Sequence, residues 1–444
     1  MLDALFRVFS LRFAGSIAGF GISLLLLAFF DPMTLGLFYV VDSTALLLGL
    51  LISFSVPAAV MPLRTAATAN GSHAARDRVD QMLIVVMVMQ VAVVLILSII
   101  AVGFLSGWRF EGHWIYMIAL APIACARLFL FDFQRAQGNL MLAALLQDRK
   151  GRNIVFCAFL GGLVILDPDD AIRLDLALTA LSVAALLPVL LGLVRLDWSR
   201  LLTGLGIGTL RAELPVLGRM VFRLAGYSVL VRAFPPAVLS MTGALAGAPA
   251  AATLGLVYSI TGIAEMATGA ARITLVKAVD HFTAGAFGAF NRAFVTSILF
   301  AVCGSLVAIA GFWTVGVALL DRFYDIDELI ALETTVALMF AVTLIKAMST
   351  FHEVFLKNIG DVRGLTWAYV LGSVAAFSLA AVLLPRIGPV GAAYAHLVIF
   401  TTVGVWSWIY VQQRYAAPRF SRTLILSIVH GIANRLGLGA GERP

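Results

Sequence analysis

The chain has 444 residues, of which 61% are hydrophobic and only 12% charged, and its mean hydropathy is +1.00. Soluble domains are about 45–50% apolar and about 25% charged, and no water-soluble fold of this size hides so much apolar surface. A soluble enzyme, a disordered chain and a nucleic-acid-binding domain are excluded. An integral membrane protein remains, and the net charge of +7 is a question of membrane sidedness.

The first apolar run follows Arg7 and Arg12 and ends at Asp31-Pro32 without a small-x-small cleavage site. It reads as a retained span rather than a signal peptide. A spanning helix needs about 20 mostly apolar residues. Twelve runs qualify: 12–30, 35–62, 81–105, 114–134, 152–166, 174–194, 216–240, 251–278, 293–320, 331–356, 365–384 and 391–411. The fifth is short. The runs are unbroken and rich in Leu, Ala and Val, which predicts helices and not a barrel. Asp31-Pro32, Asn70-Gly71, Asp167-Pro168 and Gly388-Pro389 mark turns between them. Cys125, Cys157 and Cys303 all fall in apolar runs, lack metal-ligand spacing and read as reduced core residues.

With the N-terminus in the cytoplasm, the outer loops carry only Arg109, Arg173, Arg322 and Arg386. Arg127, Arg223, Arg232, Arg272 and Lys346 fall within spans, and the rest of the 31 cations lie inside, as the positive-inside rule requires. The expectation is a multi-pass protein of the bacterial inner membrane with both termini cytoplasmic. Its parts are an N-terminal six-helix half at 1–196, a cytoplasmic linker at 197–215, a C-terminal six-helix half at 216–411 and a cytoplasmic tail at 412–444. Within the tail, Phe420 to Leu436 mixes apolar residues with Arg422, His430 and Arg435, the pattern of an interfacial helix.

Residues 34–39 read Thr-Leu-Gly-Leu-Phe-Tyr and residues 253–258 read Thr-Leu-Gly-Leu-Val-Tyr. Each copy opens a long even-numbered span, the second and the eighth. A match across six spans predicts two parallel halves related by an axis along the membrane normal. Two six-helix bundles around a central cleft suit a secondary transporter that works by alternating access.

The cationic N-terminus, the Leu-Gly-Leu-Phe-Tyr opening of span 2, its recurrence at mid-chain and Gly388-Pro-Val-Gly-Ala-Ala-Tyr394 at the last span together resemble a known group. It is the polysaccharide-flippase (Wzx-like) branch of the MOP superfamily, whose relatives include lipid II flippases and MATE exporters. The chain departs from these relatives at Arg232, where they often carry Asp. The resemblance implies an all-α fold of twelve transmembrane helices with spans 1, 2, 7 and 8 lining the cleft. It implies a substrate that is a lipid-linked oligosaccharide, often on polyprenyl pyrophosphate, with glycosyltransferases and a polymerase as partners.

Ionisable groups at a helix centre cost about 2.5–3.5 kcal/mol each on insertion scales, so they pair, snorkel or line water. Arg232 sits midway along span 7, followed by Pro235 and Pro236, which bend a helix and free carbonyls. Arg232, with Arg272, Arg12 and Lys346, forms the candidate substrate set, because guanidinium binds phosphate oxygens bidentately and stays charged. The competing reading pairs Arg232 with Glu265 or Asp42 to hold the halves together. Glu265 and Asp42 are the candidate ion-coupling or gating groups, for a proton or sodium. Arg127 and Asp132 read as a structural pair within span 4. His396 reads as structural, and Tyr39, Tyr258 and the tryptophans as an interfacial belt.

The alternative within the same fold is a MATE-like cation or drug exporter, which requires carboxylates where a pyrophosphate flippase requires arginines. A membrane polysaccharide polymerase or ligase needs a substantial outer loop, and each expected outer loop is short. No Walker loop is present. No catalytic residue, metal ligand or cofactor is expected.

Overall fold

The computed structural model describes residues 2–54, 56–69, 73–105, 112–146, 150–166, 172–202, 207–320, 326–359 and 361–415, and the regular elements among them are all helical. Asp31 separates α1 (Leu2–Phe29) from α2 (Pro32–Ser53). Its carboxylate accepts the Thr34 amide at 2.7 Å, and Pro32 lacks the amide that a first helical turn leaves unpaired anyway. α2 stops at Phe54, which has a left-handed φ of 36°, and the chain resumes as α3 (Val56–Ala69). Pro57 lacks the amide that would have met the Ser53 carbonyl; Gln90 Nε2 meets it at 2.9 Å instead.

The first half continues through α4 (His73–Leu105), α5 (Tyr116–Ala136), the short α6 (Leu140–Leu146), α7 (Lys150–Leu166) and α8 (Leu174–Val194). Asp197 then caps α9 (Trp198–Leu202), accepting from Ser199 Oγ at 2.7 Å and from the Arg200 amide at 3.2 Å. The second half comprises α10 (Ile207–Ala246), α11 (Ala248–Ala264), α12 (Met266–Thr283), α13 (Phe287–Gly311), a π turn at Phe312–Gly316, α14 (Val317–Leu320), α15 (Ile326–Asn358), α16 (Arg363–Ile387) and α17 (Pro389–Arg414). α10 begins inside the stretch read from sequence as linker. The tail beyond Tyr415, with its expected interfacial helix, and the acidic stretches Asp167 to Asp170 and Asp321 to Asp325 lie outside the described residues.

Among the described residues, ten helices are long and apolar enough to cross a membrane, and the bent pair α11–α12 makes an eleventh. The shorter apolar helix Gly151–Leu166, within α7, is the twelfth. The expected twelve-helix architecture is therefore present. An even number of passes brings both ends of the bundle to one face, called here the terminal face. Outward-facing residues of α4 such as Met89, Ile96 and Phe104 are exposed, as lipid contact requires.

The eighth span differs from its sequence reading. The run 251–278 reads as one helix, which would put Glu265 and Arg272 on one face. Instead the chain bends by 51° at a break between α11 and α12, and Glu265 sits at that break. Spans 2 and 8 are thus both broken helices.

The four helices expected to line a cleft pack on one another. α2 lies against α10 and α11, and α1 lies against α11 and α12. Glycines permit the approach: a Cβ at Gly36 would overlap the Ala248 carbonyl, and one at Gly255 would overlap the Tyr39 ring. Hydrogen bonds tie the halves along this seam. Ser23 Oγ donates to Ser259 Oγ at 2.8 Å, Ser16 Oγ donates to the Gly262 carbonyl at 3.3 Å, and Thr44 and Ser240 hydroxyls meet at 3.0 Å. The halves are closed on each other along these four helices.

Candidate functional site

Arg232, in α10, does not pair with Glu265 or Asp42. Its Nη2 donates to Asp132 Oδ2 of α5 at 3.0 Å. The ion pair therefore crosses from the second half to the first. Asp132 is buried, whereas Arg232 is part-exposed. Arg135 Nη1 approaches the other oxygen of Asp132 at 3.9 Å, one turn further along α5. Lys357 of α15 lies in the field of Asp132, Arg232, Arg135 and Arg272. Two arginines thus share one carboxylate, with Lys357 in its field, near the ends of α5 and α15 that reach the terminal face.

Arg272 lies beside this group on α12. It is exposed, and its Nη2 donates to Thr350 Oγ1 at 2.9 Å. The buried Glu353, one turn along α15, accepts the Tyr369 hydroxyl at 2.9 Å and lies in the fields of Arg272 and Lys346. Arg12 is buried in the seam, and its Nη1 donates to the Gly269 carbonyl at 3.3 Å. Arg12 therefore touches span 8 directly, on the same side of the bundle as the cluster.

The other candidates fall elsewhere. Asp42 is buried inside the first half. Arg152 of α7 grips it with two bonds, Nη1 to Oδ1 at 2.6 Å and Nη2 to Oδ2 at 3.2 Å. Arg127 joins them around a cavity of about 10 Å³, room for about one water. Asp132, expected as the partner of Arg127, is instead shared by Arg232 and Arg135. Lys346 and Glu265 form an ion pair with each other inside the second half, and the Lys346 ammonium also sits 4.8 Å from the Phe400 ring centroid. The six candidates thus separate into three places: a terminal-side group (Arg232, Arg272, Arg12), a pair in the second half (Lys346, Glu265) and Asp42 in the first. The side chains of Arg223 and Lys277 lie outside the described residues.

Arg135, Arg152 and Lys357 join the network without having been singled out from sequence. Each stands near a helix end, where a cation ordinarily snorkels; no local signal separates it from an interfacial residue. The belt reading of Tyr39 and Tyr258 also changes. Tyr39 is buried and shares a 2.8 Å hydrogen bond with Ser23, and the Tyr258 hydroxyl lies 3.0 Å from His396 Nε2. Trp313, Trp367, Trp406 and Trp408 are exposed, as a belt or lipid-facing surface requires. Among the described residues there is no cluster of His, Cys, Asp and Glu that would hold a metal ion.

No family model and no curated protein matches the sequence. Solved structures do match its fold. The MATE multidrug transporter DinF-BH aligns with TM-score 0.63 and 13% identity, over 93% of this chain and 95% of that one. The lipid II flippase MurJ in an inward closed conformation aligns with TM-score 0.59 and 10% identity, over 100% of this chain and 94% of that one. A MOP superfamily transporter from Pyrococcus furiosus, described by a reversed polarity of its binding pocket, aligns with TM-score 0.53 and 13% identity over 92% and 95%. Two parallel six-helix halves, matched along nearly their whole length, give this chain the fold shared by MATE transporters and the MurJ lipid II flippase.

Proposed function

We propose that this protein is a secondary transporter that flips a lipid-linked oligosaccharide, carried on a polyprenyl pyrophosphate, across the inner membrane for polysaccharide biosynthesis. The observation that carries this reading is the pair of arginines, Arg232 and Arg135, on Asp132, with Lys357 in the field of all three and of Arg272. It lies where the two halves meet on the side expected to face the cytoplasm. Parting the halves there separates Arg232 from Asp132 and presents an excess of cations to the opening. A pyrophosphate meets guanidinium groups in their preferred bidentate geometry, and the alternating-access motion supplies the exchange of Asp132 for substrate.

The cation-exporter alternative fits less well. Asp42, Asp132 and Glu265 are each already met by Arg152, Arg232 and Lys346. A cationic drug would have to displace a charge fixed to the chain at every one of them.

The test uses cells lacking the gene. Their lipids are extracted for sugar-loaded polyprenyl pyrophosphate, and its leaflet is probed with a membrane-impermeant reagent. Accumulation on the cytoplasmic side, reversed by the wild-type gene and not by Arg232→Ala, is expected. An intact surface polymer with no accumulating intermediate would overturn the substrate assignment.

A further inference from the structure

A second charged group lies apart from Arg232 and is enclosed in the first half. Asp42 stands midway along α2, Arg127 midway along α5 and Arg152 in the first turn of α7. They are 4%, 3% and 7% exposed. All three line one cavity of about 10 Å³, whose other walls are apolar, from Ala45 and Leu46 of α2 to Ala185 of α8. Among the described residues, Asp42 is the one carboxylate on these walls.

Two guanidiniums against one carboxylate give the walls a net charge of +1, because arginine stays protonated in proteins. However the hydrogen bonds are shared among the three, that sum does not change. Arg152 spends Nη1 and Nη2 on the two oxygens of Asp42, and among the described residues its buried Nε meets no acceptor. A guanidinium has more N–H donors than a carboxylate has acceptor positions, so one carboxylate cannot meet the donors of two. Two arginines also share Asp132, but both are part-exposed, and water screens the excess there. The group at Asp42 is enclosed. An excess charge enclosed in a membrane protein is costly unless a counter-charge meets it.

We infer that this cavity binds one small monatomic anion, a halide such as chloride, held by the guanidiniums of Arg127 and Arg152. Room for about one water admits a single halide ion and excludes a phosphate or a lipid headgroup. The positive walls repel sodium and other cations, and Arg152 already occupies the oxygens that would hold them. One halide balances the excess charge and leaves a neutral group joining α2, α5 and α7. α2 is also the helix that packs on α10 and α11 of the second half, so the anion stiffens the backing of the seam. The site lies inside the first half and does not depend on what the protein carries.

The experiment uses the full chain in lipid nanodiscs, with radiolabelled chloride as the probe. Gluconate, too large for the cavity, holds the ionic strength constant. Saturable binding of about one chloride per chain is expected, with a melting temperature that rises over the same range of chloride and also responds to bromide. Arg127→Gln removes one charge and is expected to lower chloride affinity about tenfold or more. Ala185→Val fills the cavity without altering a charge and is expected to do the same, so the test stands if Arg127→Gln fails to fold. Arg232→Gln, on the terminal side, is expected to leave chloride binding unchanged. An absence of saturable chloride binding would overturn the site and leave water as the occupant. Binding at full affinity in either folded cavity variant, or binding lost in Arg232→Gln, would overturn it as well.

Discussion

Gly255 lies directly against the ring of Tyr39. Gly255 is the glycine of the second Thr-Leu-Gly-Leu copy, and Tyr39 is the last residue of the first copy. The duplicated segments therefore pack on each other across the boundary between the halves. Gly36, the glycine of the first copy, meets the backbone of Ala248 in the same seam. Substituting Gly36 by Ala sets a methyl group against a backbone carbonyl that has no rotamer to yield. The expected result is a seam forced apart at α2 and α11, with faster labelling of a cysteine placed at Ser259. Labelling at the wild-type rate would show that the seam is already open in the membrane.

The same seam offers a covalent lock. Thr44 and Ser240 hydroxyls are 3.0 Å apart across the halves, within reach of disulfide geometry. In a background with the exposed Cys303 replaced by Ser, Thr44→Cys with Ser240→Cys is expected to cross-link on mild oxidation. Transport should stop on cross-linking and recover on reduction. Full activity in the cross-linked protein would mean that the halves do not part along α2 and α10.

Arg232 and Asp132 test whether the inter-half ion pair is only a latch. Arg232→Ala removes charge-assisted hydrogen bonds of about 1.5–3 kcal/mol each, a loss of transport of about tenfold or more, with the protein still accumulating in the membrane. Combining Arg232→Asp with Asp132→Arg restores the pair and removes the cation from span 7. A latch alone predicts recovery; a phosphate-binding arginine predicts continued loss. Uptake or complementation measured on the exchanged pair separates the two.

Asp42 and Arg152 are buried together, with side chains 5% and 8% exposed. Removing one partner of such a pair leaves an uncompensated charge and costs about 3–5 kcal/mol. Arg152→Ala is expected to lower the melting temperature in detergent markedly, and Arg152→Ala with Asp42→Ala to recover much of the loss. Equal melting of the single and double variants would show that the pair does not act as a unit.

Asp197 carries a pH dependence outside the membrane. The Ser199 hydroxyl, and then the Arg200 amide, hold its carboxyl below the usual carboxylate range. An acid with a depressed folded-state pKa stabilises its structure above its unfolded value, about 3.9. That stabilisation is lost as pH falls through the lower folded value. The α9 cap is therefore expected to stay intact at every pH above about 4. Hydrogen exchange of the Arg200 amide, followed in acid, should rise only below that point, and Asp197→Ala should remove the transition.

The membrane class, the twelve spans and the two-half arrangement are legible in the chain alone, because each rests on local hydrophobicity and repetition along the sequence. Arg232 stands out there too, through its depth and the prolines beside it. Its partner does not, because Asp132 lies 100 positions away in the other half, and only the approach of α5 to α10 brings them together. Nearness along the chain likewise suggests Arg127 for Asp132, and helix spacing places Glu265 and Arg272 on one face of a helix that in fact breaks between them. His396, read as structural, takes its partner Tyr258 from α11. Composition and periodicity determine which segments are helices and which residues are costly in a membrane. The tertiary structure decides which of those costly groups meet, because the meeting points are set by how two duplicated bundles close on each other.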